Sequence, residues 1–98
     1  NNIIKTRTPS LVDLNELPIP ARDLMNNNLY LRPDTGKPQA LIQVGRGCPF
    51  DCTFCISPSL TGKDYTQRSV DSVIDEIRDC VDNYSINQIF FRADTFTI

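Results

Sequence analysis

Two short apolar runs bracket one long amphipathic stretch, and this alternation constrains the fold more than any other feature of the chain. Ala40-Leu41-Ile42-Gln43-Val44 is too short for a helix and is stopped by Gly45, so it reads as a strand over residues 40–44. Ile89-Phe90-Phe91 belongs to a second run and predicts a strand over residues 86–92, of the kind buried on both faces. Between them, Ser69 offers a hydroxyl to cap a helix start and Asp71 sits favourably in the first turn. Val70, Val73, Ile74, Ile77, Val81 and Tyr84 then recur at helical spacing. A helix over residues 69–83 follows, with that stripe buried. Asp71, Asp75, Glu76, Asp79 and Asp82 are expected on a solvated face, and Arg78 is placed to pair with Asp75 or Asp82. Strand, loop, helix, strand is a β-α-β unit, whose strands are parallel.

Parallel units gather their sites at the carboxyl ends of the strands. The loop over residues 45–67 leaves the first strand there and carries Gly47-Cys48-Pro49-Phe50-Asp51-Cys52-Thr53-Phe54-Cys55. Arg92-Ala93-Asp94-Thr95 leaves the second strand at the same end, so the two polar segments are expected to meet. Thiolates spaced C-x-x-x-C-x-x-C can all face one small object. Three of them on an iron–sulfur cubane leave one iron open for chemistry, whereas four thiolates usually close a site. Gly45 and Gly47 let the backbone turn sharply and approach a bound group.

The chain has no histidine, which removes mixed cysteine–histidine zinc sites and histidine-based triads. Cys80 leaves two readings open. It is a free, buried helix cysteine, or it is a fourth ligand that makes a closed four-thiolate zinc site or an electron-transfer cluster. A structural metal-binding module therefore stands beside the enzyme reading. The following Cys-Pro of a ferredoxin run is absent.

Ninety-eight residues make one small domain or a piece of a larger one. A net charge of -2 with no basic block gives no nucleic-acid footprint. No apolar run approaches the ~20 residues of a membrane helix. Asn1-Asn2-Ile3-Ile4-Lys5 leads into no run of export-signal length, so a reducing cytoplasm is the expected setting. Residues 1–39 hold Pro9, Pro18, Pro20, Pro33 and Pro38 and little periodicity. They read as a linker wrapped on a domain rather than core. A short helix is expected near residues 20–25, and a hairpin pairing 29–32 with 39–44 across Asp34-Thr35-Gly36-Lys37.

The segment Gly45-Arg46-Gly47-Cys48-Pro49-Phe50-Asp51-Cys52-Thr53-Phe54-Cys55 resembles the cluster loop of radical S-adenosylmethionine enzymes. Its context resembles the branch that carries a cobalamin-binding domain. Leu17-Pro18-Ile19-Pro20-Ala21-Arg22-Asp23-Leu24 is similar to the linker of that branch. Arg68-Ser69 with residues 70–77 is similar to its first helix, and Asp94-Thr95-Phe96-Thr97 to its next strand end. The resemblance implies an α/β fold, the N-terminal part of a partial (β/α)6 TIM-like barrel, preceded by the linker from a further domain. It implies that Cys48, Cys52 and Cys55 hold a [4Fe–4S] cluster whose fourth iron is chelated by S-adenosylmethionine. Reductive cleavage would then give a 5′-deoxyadenosyl radical, with a flavodoxin or ferredoxin as electron donor. Phe54 falls at the position that approaches the adenine, and Asp94 near the segment that binds the ligand's amino group. Ala93 departs from the branch, where a second acidic residue is common. One β-α-β unit is short of a barrel, so the chain is expected to be a piece of an enzyme, inactive alone and prone to self-association at open sheet edges.

Overall fold

The computed structural model describes residues 3–4 and 12–98. The part of the linker expectation that falls on residues 1–2 and 5–11, Pro9 included, lies outside the described residues. The elements are β1 (Gln39–Gln43), β2 (Gly45–Arg46), α1 (Ser57–Thr61), β3 (Thr66–Gln67), α2 (Val70–Tyr84) and β4 (Gln88–Arg92). β1 and β4 pair in parallel, from Gln39 opposite Gln88 to Gln43 opposite Arg92, and α2 forms the crossover between them.

The boundaries differ from the sequence reading for local reasons. β1 takes in Gln39, which pairs with Gln88, and ends before Val44. Val44 still bridges two elements: its N–H donates to the Arg92 carbonyl and its own carbonyl accepts from the Arg68 N–H, both at 2.9 Å. Ser69 lies just outside the helix as its cap, with extended backbone and an Oγ that accepts the Ser72 N–H at 3.2 Å. α2 runs on to Tyr84 because Ser85 provides the stop in the left-handed region, at φ 56°. The Ile86 N–H closes the end by donating to the Cys80 carbonyl at 2.9 Å, so β4 cannot begin until Gln88. Ser85→Gly removes the steric cost of that φ and should stabilise the fold by about 0.5–1 kcal/mol, less whatever glycine gains in the unfolded chain. The denaturation midpoint reads this, and an unchanged or lower midpoint would contradict it.

Ala40, Ile42, Val44, Cys80 and Ile86 form the buried centre, with Val73, Ile77, Tyr84, Ile89 and Ala93 packed on it. Ala40 and Ile42 alternate toward α2, as a strand's period of two requires. Leu41 and its neighbour Phe90 occupy the other face and are exposed, so β4 is not buried on both faces as its composition suggests. The apolar stripe of α2 is also displaced from expectation. Val70, at 75% exposure, Ile74 and Val81 lie outside the contact, while Glu76 and Cys80 are sealed within it. A two-stranded sheet covers only one arc of the helix, and that arc is rotated toward Glu76.

Glu76 therefore does not belong to the solvated acidic face, although Asp71, Asp75 and Asp82 do. Its Oε1 accepts from Arg22 Nη2 at 2.7 Å and its Oε2 from Arg68 Nη1. Both guanidinium groups also reach carbonyls of β1. Arg22 Nη2 lies 3.4 Å from the Leu41 oxygen and Arg68 Nη1 lies 3.3 Å from that of Gln43. Burying a carboxylate this completely is tolerable only because two cations and their hydrogen bonds compensate it.

The proline-rich segment is thus more than a wrapping, since it sends Leu14 and Arg22 into the interior. Its short helix is a 3-10 turn over Arg22–Leu24, begun by an Arg22 N–H bond to the Pro20 carbonyl at 2.8 Å. The expected hairpin is reduced to a single antiparallel bridge, Leu31 with Pro38, because proline supplies no further ladder donor.

Candidate functional site

The cysteine loop begins and ends at one neck. β2 and β3 pair antiparallel, Gly45 with Gln67 and Arg46 with Thr66, and Arg68 continues the closure through its bond to Val44. The Arg68 side chain then locks to Ser72 Oγ and the Ser72 carbonyl, at 2.8 and 2.9 Å, and to Glu76. The two loop glycines serve this neck. A Cβ on Gly45 would sit 2.5 Å from the Tyr65 hydroxyl. A Cβ on Gly47 would overlap the Asp64 carbonyl oxygen, and Gly47 also adopts φ +90°. Gly47→Ala is expected to displace the Cys48 backbone and to reduce reconstituted iron content severalfold. Iron analysis checks this, and full iron content in the variant would show that the neck tolerates the shift.

Beyond the neck, Cys48 is half-buried and Cys52 and Cys55 are exposed, all as free thiols. The Cys55 N–H donates to the Cys52 carbonyl at 3.0 Å, which turns the chain between these two cysteines. Hydrogen bonding from the Ser57 side chain, then from its backbone, holds the Cys55 thiol below its ordinary range and favours the thiolate. Asp51, the carboxylate among the cysteines, faces away to Lys63 Nζ at 2.8 Å.

The expected meeting of the two strand ends takes place. Asp94 Oδ2 accepts the Gly47 N–H at 2.8 Å, and Thr95 Oγ1 lies 3.2 Å from Cys48 Sγ. Both bonds join the segment after β4 to the start of the cluster loop. Asp94 is exposed and thus holds the loop while keeping contact with solvent. Phe54 is 92% exposed, so its ring is presented outward beside Cys55.

Cys80 stands apart, fully buried in the core, where desolvation pushes its thiol up. Among the described residues, no group of three or more Cys, Asp or Glu side chains is drawn together around a point that one metal ion would fill. A cubane makes a different demand, because its ligands are spread over separate corners. Three free thiols on one loop, two of them open to solvent, suit that donor set. Among the described residues, no helix is long and apolar enough to cross a membrane.

Thr95, Ser57 and the Arg22–Glu76–Arg68 group were not picked out as site residues by their sequence. The one available signal was the position of Glu76, three residues after Val73 and four before Cys80, which puts it beside the buried stripe.

The profile of the Radical SAM superfamily matches residues 42–98. The chain is 39% identical over 90 residues, 92% of its length, to an uncharacterized methyltransferase of Pyrococcus horikoshii, of which it covers 19%. It is 33% identical over 70 residues, 71% of its length, to the hopanoid C-3 methylase of Methylococcus capsulatus, of which it covers 14%. It is 30% identical over 92 residues, 87% of its length, to the cytidylyl-2-hydroxyethylphosphonate methyltransferase of Streptomyces wedmorensis, of which it covers 17%. The chain thus spans about a fifth or less of these relatives. No solved structure matches it.

Proposed function

The chain belongs to the radical SAM superfamily, and we propose that it is the cluster-bearing segment of a radical S-adenosylmethionine enzyme that transfers a methyl group. The observation that carries this reading is the single loop presenting Cys48, Cys52 and Cys55 as free thiols at the carboxyl ends of two parallel strands. Cys48, Cys52 and Cys55 would hold a [4Fe–4S] cluster. When bound, the cluster would supply one electron and S-adenosylmethionine a sulfonium whose C–S cleavage would give methionine and a 5′-deoxyadenosyl radical.

The protein's own work is positioning. Gly45 and Gly47 allow the neck to close, Arg68 and Glu76 hold it, and Asp94 ties the loop start to β4. Phe54, exposed beside the last cysteine, offers a ring face to an adenine. Asp94 keeps an exposed carboxylate within reach of an ammonium group, in addition to its bond to Gly47. The parallel β1–β4 pair and α2 would be the first unit of a partial barrel completed by further strands of the whole protein. A low-potential one-electron carrier of the flavodoxin or ferredoxin kind would supply the electron.

Methyl transfer is proposed because three relatives bear the names methyltransferase or methylase. Cobalamin, bound by a further domain, is proposed on the likeness of residues 17–24 and 68–77 to the cobalamin branch. The test is anaerobic incubation of the reduced, reconstituted full-length protein with S-adenosylmethionine, followed by chromatography for 5′-deoxyadenosine. Its formation in wild type but not in Cys52→Ala supports the radical reading. Its absence from a protein that carries a full cluster would overturn it.

A further inference from the structure

We propose that Thr95 is a positioning residue that sets the reduction potential of the cluster through its hydroxyl on Cys48. The inference rests on the proposed function and goes beyond it to a residue outside the cysteine motif. Thr95 Oγ1 lies 3.2 Å from Cys48 Sγ, within reach of an O–H···S hydrogen bond. The two residues are 47 positions apart, so only the parallel pairing of β1 with β4 brings them together. The neighbouring bond fixes this approach, because the Asp94 carboxylate grips the Gly47 N–H at 2.8 Å. Two consecutive residues after β4 thus hold two consecutive residues at the loop start. Both Thr95 and Cys48 are half-buried, whereas Cys52 and Cys55 are exposed, so Cys48 is the one of the three loop thiols least able to be solvated by water instead.

A thiolate bound to iron is an acceptor only, and its demand for donors grows with negative charge. One-electron reduction adds one negative charge shared between iron and sulfur, and no bond is broken. An O–H directed at the sulfur therefore stabilises the reduced form more than the oxidised form and raises the potential. The electron comes from an external low-potential donor, dithionite in the experiment below. Bonds from surrounding residues to ligand atoms tune metal centres in this way generally.

The experiment is a redox titration with dithionite, followed by electron paramagnetic resonance, on the reconstituted full-length protein and its Thr95→Val and Thr95→Ser variants. Iron and sulfide are counted in each. Valine keeps the β-branched shape and removes the donor, while serine keeps the donor. The expected result is full cluster content in all three and a lower potential in Thr95→Val alone. A tenfold change in the reduction equilibrium, roughly 59 mV for one electron, is the expected scale for one such bond. An unchanged potential in a fully loaded Thr95→Val protein overturns the inference and leaves the proposed function standing. Failure of wild type to take up iron and sulfide overturns both. If Thr95→Val assembles no cluster, Thr95→Ala is titrated in its place. Loss of the cluster in both, with retention in Thr95→Ser, would make Thr95 a structural tie and would equally overturn the role in potential.

Discussion

Alanine at Cys48, Cys52 or Cys55 is expected to abolish the cluster absorption near 400 nm of the reconstituted protein, while Cys80→Ala keeps it. Each of the first three would remove one corner ligand of the proposed cluster. Asp51 is turned toward Lys63, and the chain contains no histidine to substitute. Cys80 is no replacement, because it is sealed in the core among Ala40, Ile42, Val44 and Ile86. Desolvation pushes its thiol up, which disfavours the thiolate form a metal requires. Iron and sulfide analysis of the four variants separates the alternatives. Loss of metal in Cys80→Ala, together with zinc instead of sulfide in wild type, would favour the four-thiolate module over the enzyme.

Glu76→Ala should destabilise the fold by about 3–5 kcal/mol, the range for breaking a buried ion pair by removing one partner. The side chain is only 2% exposed, and its partners Arg22 and Arg68 are 8% and 10% exposed. Without the carboxylate, two guanidinium groups remain in the interior, Arg22 on the Leu41 carbonyl and Arg68 on the Gln43 carbonyl and on Ser72. Among the described residues, Arg22 Nη1 is buried without a partner, so this site has little capacity to absorb a further loss. Glu76→Gln retains the volume and one acceptor but not the charge, and should fall between wild type and Glu76→Ala. Urea denaturation measures all three, and a loss below 1 kcal/mol in Glu76→Ala would show that the three residues do not act as a unit.

The consequence should extend to the loop. Arg68 joins the neck to α2, so releasing Glu76 frees the return of the cluster loop as well as the N-terminal segment held by Arg22.

The regular part of this fold was legible because it is written in short-range periodicity. The runs around Ile42 and Phe90 and the recurrence of Val73, Ile77 and Tyr84 give two strands and a helix with boundaries correct to one or two residues. The helix face was less legible, because periodicity ranks residues by polarity and places Glu76 outside. Its burial depends on Arg22, 54 positions away, and no local pattern encodes that partner. The reason for the two loop glycines was hidden for the same cause. Their constraint comes from Tyr65 and Asp64, residues that return to the neck only after the loop has folded.

The three cysteines stand out in the sequence because metal chemistry asks for that residue type at close spacing within one short segment. Thr95 was not, since a threonine two residues past a strand has no distinguishing context until β1 and β4 are paired. The β2–β3 ladder and α1 were likewise invisible, because elements of two and five residues are too short for a period to register.

Cys48, Cys52 and Cys55 are proposed to hold a cubane with one iron left for S-adenosylmethionine. The direct measurement is electron paramagnetic resonance of the dithionite-reduced, anaerobically reconstituted protein, recorded with and without S-adenosylmethionine. The predicted result is a reduced [4Fe–4S] signal whose shape changes when the sulfonium ligand is added. A signal unaffected by S-adenosylmethionine, in a protein with full iron and sulfide, would contradict the open-iron site.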